Sequence, residues 1–278
     1  MHKVLTINCS DKVIHVLQKL LGDRVVLSSA PYEEGRIHEN YAMVVLETGT
    51  DLEQDLKRTR TIRYSCNFRN LPIILIHTHG DHRPMEPFLS AGATELLSLN
   101  DPPAACRQIL QGYLIPDRDP VKEEMEYLEM FIKNTCNVLK TMAGMKVQFK
   151  EVYFCEDLRI FGDISGIIGL FGKAEGTLVI TFYWKLAQKI IAQMMNVQIN
   201  NINAELIHDG VAEIINMISG STKKDFVNTK YHFEISLPSV VVGSGHQIGH
   251  PGNSTIAVLI FDAEEGSFAL QVCIKPRS

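Results

Sequence analysis

Five apolar runs, KVLTI, RVVLSSA, NYAMVVLE, LPIILIH and TELLSL, succeed one another through residues 1–116, with helix-like segments between them. Val13, Leu17, Leu20 and Leu21 fall on one face of a helix; DLEQDLKRTRTIRY reads as a polar helix, and EPFLSAG and PPAACRQILQGYL as two more. Runs this uniformly apolar fit strands buried on both faces. Their alternation with helices predicts an α/β doubly wound parallel sheet.

The pattern breaks at IPDRDPVKEE, where two prolines and a run of charges predict a boundary, with domains over 1–116 and 123–278 and a linker over 117–122. A long helix is expected over 125–142, where Leu128, Met130, Phe131, Val138 and Leu139 recur with a helical period and Gly144 ends it. KVQFKEVYF, GDISGIIGLFG and EGTLVITFYW read as strands, KLAQKIIAQMM and 204–226 as helices, and FEISLPSVVVG, STIAVLIFD and SFALQVCIK as strands again. AEEG joins the last two as a hairpin. Strands interspersed with paired helices predict an α+β domain. With 278 residues, 45% of them hydrophobic, the chain has material for both cores.

The net charge of -5 is spread along the chain without a basic block, which argues against a nucleic-acid partner, and no apolar run approaches the ~20 residues of a membrane span. MHKVLTINCSD lacks the apolar region of a signal peptide, so a cytoplasmic location is expected. Cys9, Cys66, Cys106, Cys136, Cys155 and Cys273 form no C-x-x-C pair and fit reduced, buried thiols. Trp184, the single tryptophan, is expected at a strand-to-helix corner.

LPIILIHTHGDHR raises a different chemistry. His77, His79, Asp81 and His82 have the H-x-H-x-D-H spacing of metallo-β-lactamase-type hydrolases, which this stretch resembles and which hold two zinc ions. Such a site needs a further His, an Asp and another His downstream. No histidine occurs between His82 and His208, so the metallohydrolase stands as the minor alternative. His246 and His250, four apart among glycines and a proline, read as loop residues rather than a metal pair.

Residues 123–278 resemble the CheX branch of the CheC/CheX/FliY phosphatases, which dephosphorylate the chemotaxis response regulator CheY. The resemblance rests on FIKNTCNVLKTMAGMKV, GDISGIIGLFGKAEGTLVITF, DGVAEIINMISG, SLPSVVVGSGHQIGHP and FALQVCI, in family order. The family's E-x-x-N signature falls on Glu213 and Asn216. Helical geometry separately puts Ile207, Val211, Ile214, Ile215 and Ile218 on one face and Asp209, Glu213, Asn216 and Gly220 on the other. Taken alone, the polar stripe is an ordinary solvated face. The resemblance makes Glu213 and Asn216 the expected catalytic residues and Asp209 and Gly220 the expected docking positions.

A phosphorylated regulator carries an aspartyl phosphate with its own Mg²⁺ and lysine, so the resemblance implies no cofactor of this chain's own. Asn216 would orient the attacking water and Glu213 would pair with the partner's lysine. CheC-type members carry a second signature; the candidate position here, KLAQKIIAQMM together with EEMEYLEMFIKNTCN before it, offers no equivalent, and EYLEMFIKN holds no E-x-x-N. A single signature is the CheX pattern, and that branch implies a homodimer.

Residues 1–116 resemble a response-regulator receiver whose chemistry has been replaced. Glu47 stands at the position of the phosphorylated aspartate, His77 at the Ser/Thr position and Leu99 at the lysine position, while Asn8, Cys9 and Ser10 replace the acids that would hold Mg²⁺. A pseudo-receiver is expected, serving as a docking or regulatory module. The leading expectation is a phosphatase acting on a phosphorylated CheY-type response regulator, with a non-enzymatic adaptor that binds such regulators as the alternative.

Overall fold

The structure is a computed structural model that describes residues 2–30, 41–66, 71–78, 84–114, 122–155, 162–243, 246, 248 and 255–277. The chain divides into two compact units, Met1–Pro116 and Asp117–Ser278.

The first unit runs β1 (His2–Ile7), α1 (Asp11–Leu21), β2 (Val25–Ala30), β3 (Met43–Glu47), α2 (Leu52–Ser65), β4 (Ile73–His77), α3 (Glu86–Ser90), β5 (Glu95–Ser98) and α4 (Pro103–Gly112). Every strand pairing is parallel, in the flavodoxin-like order β2-β1-β3-β4-β5, as a doubly wound sheet requires. Alternate side chains go to opposite faces. Met43, Val45, Ile74 and Ile76 pack with Val13 and Leu17 of α1 and Leu110 of α4, whereas Val44, Leu46, Ile73 and Leu75 pack with Ile62 of α2 and Phe88 of α3.

The polar helix α2 docks largely through hydrogen bonds. Asp55, buried, accepts from the Gly49 N–H at 3.0 Å, and Arg63 donates from Nε to the Gly92 carbonyl at 2.9 Å. Buried charges matched in this way let a helix with a narrow apolar stripe close a layer.

The second unit comprises α5 (Lys122–Ala143), β6 (Val147–Cys155), β7 (Ile164–Gly172), β8 (Ala174–Phe182), α6 (Trp184–Met195), α7 (Ala204–Asp225), β9 (Phe233–Ile235), β10 (Ser239–Val242), β11 (Ile256–Ala263) and β12 (Gly266–Pro276). Its antiparallel sheet has the order β10-β7-β8-β12-β11-β6, with β9 also on β7. The three helices share one core with Ile164, Ile168, Ile180, Phe182, Phe268 and Leu270. Trp184 opens α6 at the corner after β8, where its main-chain N–H donates to the Asp163 carboxylate at 2.8 Å.

One expected strand is two. FEISLPSVVVG splits into β9 and β10, and between Ile235, opposite Leu170, and Ser239, opposite Ile167, three residues face two on β7. Pro238 has no N–H to give to a ladder. Ser236 keeps the pairing by donating its N–H to the Gly169 carbonyl (2.9 Å) and accepting the Gly169 N–H on its hydroxyl (3.0 Å). The bulge turns Leu237 into solvent, 88% exposed. Among the described residues, no helix is long and apolar enough to cross a membrane.

Candidate functional site

Asn203 starts α7 by accepting the Leu206 N–H on its side chain at 2.9 Å, and 22 residues follow in one helix. Burial divides them as the periodicity predicts. Ile207, Val211, Ile214, Ile215 and Ile218 are sealed in the core; Asp209 and Glu213 are exposed, and Asn216 and Gly220 are partly exposed on the opposite stripe. Residues three apart are neighbours on a helix surface, ~5–6 Å apart at their β-carbons, so Glu213 and Asn216 present a carboxylate and a carboxamide side by side. Neither hydrogen-bonds or ion-pairs with a described residue. Asp209 has His208 beside it, Nδ1 to Oδ1 at 3.4 Å.

The helix beneath the pair is held along its length. At Gly210 α6 comes so close that a β-carbon would stand 2.2 Å from Cδ1 of Ile191. The Ser219 and Thr222 hydroxyls donate to the Ile215 and Ile218 carbonyls at 2.7 and 2.8 Å. At the far end Asn134 of α5 donates from Nδ2 to Asp225 at 2.9 Å, and Lys223 pairs with Glu234, holding that carboxyl below the usual range. The product is a rigid surface offering one group that only accepts hydrogen bonds and one that both donates and accepts. No group of three His, Cys, Asp or Glu stands ready to hold a metal among the described residues.

The family model for the chemotaxis phosphatase CheX matches residues 164–262, which contain α7 and both polar residues. The solved chemotaxis protein CheX from Vibrio vulnificus is 32% identical, over 54% of this chain and 99% of that one, with a TM-score of 0.50. The chain belongs to the CheX family. A solved CheX from Desulfovibrio desulfuricans is 28% identical over 55% of this chain and 99% of its own, with the same TM-score. The CheY-P phosphatase CheX of Thermotoga maritima is 28% identical over 142 residues, 51% of this chain and 92% of that protein. In this CheX protein α5 presents no second pair: Asn134 is buried and bonded to Asp225.

The receiver-like positions of the first unit stand at the carboxyl ends of adjacent strands, Glu47 ending β3, His77 ending β4 and Leu99 following β5. Each has a contact within the first unit. Glu47 accepts the Ser10 main-chain N–H on Oε2 at 2.5 Å, where α1 begins. His77 is buried with Nδ1 3.2 Å from the Thr48 hydroxyl, and Leu99 packs on the apolar core beneath α1 and α4. Burial pushes the Cys9 thiol up to about 11, with the Glu47 charge adding to the effect. The Ser10 bond to Glu47 and the Thr48 contact with His77 carry no sequence signal, because neither the main-chain contact nor the strand register that creates them marks residue type.

His79, Asp81 and His82 lie outside the described residues, as do His250 and the 117–121 part of the linker. His246 belongs to a hydrogen-bonded chain. Its Nδ1 lies 2.5 Å from the Gly243 carbonyl, which only accepts, so Nδ1 carries a proton, and its Nε2 lies 2.7 Å from the Ser165 hydroxyl. The Ser165 hydroxyl in turn hydrogen-bonds with that of Thr181 at 2.7 Å. Ser165 alternates with Ile164, whose side chain faces the helices, so this chain sits on the other face of the sheet from α7. It fastens the residue after β10, a role no i, i+4 spacing announces.

Proposed function

We propose that this CheX protein hydrolyses the aspartyl phosphate of a CheY-type response regulator docked on α7. The observation that carries this reading is the pair of Glu213, exposed, and Asn216, partly exposed, neither partnered among the described residues, within the segment matched by the CheX family model. The partner brings the acyl phosphate, its Mg²⁺ and a lysine that neutralises the phosphoryl oxygens; what it lacks is a water held in line. The Asn216 carboxamide hydrogen-bonds that water. As the water oxygen bonds to phosphorus, the bond from phosphorus to the aspartate oxygen breaks, releasing inorganic phosphate and a free carboxylate. Glu213 pairs with the partner's lysine and sets the docking angle, while Asp209 and Gly220 border the contact. The decisive assay is the decay of a phosphorylated CheY-type regulator with wild type and with Asn216→Ala. Equal decay rates would sink the catalytic assignment.

In this reading residues 1–116 are a pseudo-receiver used for docking or regulation, joined by 117–122 to a phosphatase domain at 123–278. The engagement of Glu47 by Ser10, and the apolar Leu99 where a lysine belongs, support it. Homodimerisation remains part of the proposal, tested by sedimentation of the full chain.

A further inference from the structure

We infer that Gly220 is a clearance point, at which a main-chain segment of the docked regulator crosses α7 directly over the helix backbone. The inference rests on the docking reading above.

Two glycines interrupt α7, and only one has a reason inside the fold. At Gly210 a β-carbon would lie 2.2 Å from Cδ1 and 2.8 Å from Cγ1 of Ile191. At Gly220 it would meet no atom of the described residues within 4 Å. Nor does the backbone ask for glycine there, since Gly220 is absent from the positive-φ residues. Among residues other than proline, glycine is the least favourable in a helix interior, because its unfolded chain is the most free. Among the described residues, therefore, nothing in the fold requires Gly220 or gains from it. Its reason lies outside the fold.

Position identifies the occupant. Gly220 follows Asn216 by about one turn on the same stripe, ~6 Å along the axis. Any protein that presents a phosphoryl group to Asn216 extends over that point. A bare helix backbone admits a second backbone to Cα–H···O distance, ~3.3–3.6 Å, which a methyl group prevents. An incoming side chain would evade a methyl by changing rotamer, whereas main chain cannot. The segment over Gly220 is thus the loop bordering the phosphorylated aspartate, and its approach sets how deeply Asn216 enters the regulator's site.

Full-length Gly220→Ala separates this role from a structural one. Thermal unfolding followed by the fluorescence of Trp184, the only tryptophan, should shift upward by about 2–4 °C. With a phosphorylated CheY-type regulator, KM should rise about tenfold or more while kcat stays within about twofold; Gly220→Leu should raise KM further. Affinity for the same regulator loaded with beryllofluoride and Mg²⁺ should weaken in parallel. An unchanged KM and affinity in Gly220→Ala overturns the inference and leaves the catalytic reading standing, provided Asn216→Ala is inactive. A lowered Tm overturns it too, by showing that the fold does need glycine. If wild type neither binds nor dephosphorylates the regulator, the docking reading fails and the clearance role falls with it.

Discussion

The main-chain N–H of Ser10 donates to Oε2 of Glu47 across 2.5 Å, tying the end of β3 to the start of α1. A carboxylate at a helix N-terminus is favoured by both the hydrogen bond and the helix dipole, so Glu47→Gln should destabilise the first unit by about 1 kcal/mol in urea unfolding. In the proposed reading the first unit is a pseudo-receiver that takes up no phosphoryl group. Acetyl phosphate with Mg²⁺ should add no phosphoryl group to residues 1–116, as read by intact mass. A mass gain lost in Glu47→Gln would refute the pseudo-receiver.

Glu213 and Asn216 should fail differently when truncated. In the proposed mechanism Asn216 acts on the water only in the transition state, so Asn216→Ala should lower kcat by about 100-fold or more with KM little changed. The same mechanism has Glu213 act in docking as well as alignment, so Glu213→Ala should raise KM for the phosphorylated regulator and weaken binding to its beryllofluoride form. Both side chains are outside the core, and neither change should move the Tm by more than a degree or so. If Asn216→Ala loses affinity and retains kcat, the two roles have been assigned the wrong way round.

Cys9 gives the first unit an alkaline limit. Burial favours the neutral thiol and raises the folded-state pKa from 9.0 to about 11. Stability from this group is therefore complete below pH 9 and declines as pH climbs toward 11, because only the unfolded chain ionises freely in that window. The fall in stability from pH 9 to pH 11 should be smaller in Cys9→Ala than in wild type. Identical falls would show that the thiol is not sealed in this way.

Much of the architecture was legible because burial on a periodic lattice leaves a periodic trace. MVVLE and IILIH are apolar at every strand position up to their last residue because helices cover both faces of their sheet. The polar stripe of α7 was equally plain, though only the family resemblance gave Glu213 and Asn216 more weight than any solvated pair. The division of FEISLPSVVVG was not foreseen, since its apolar pattern continues through Leu237 and only the ladder shows that Pro238 interrupts it. The bonds Ser10 to Glu47, Thr48 to His77 and Ser165 to His246 join residues far apart in the chain, and no local pattern carries them.

Gly210 is where α7 owes its position to a missing side chain. Gly210→Ala should push α6 away and cost about 1–3 kcal/mol of stability, the opposite sign to the gain expected at Gly220. The clash is with one residue, so shortening that residue should relieve it. Ile191→Ala alone should destabilise through the cavity it leaves, yet combined with Gly210→Ala it should cost less than the sum of the two. Trp184 begins α6, the helix in contact, so its fluorescence during urea unfolding reads all three variants locally. Strict additivity would mean that Gly210 is accommodated by something other than Ile191, and the account of how α7 is held in place would have to change.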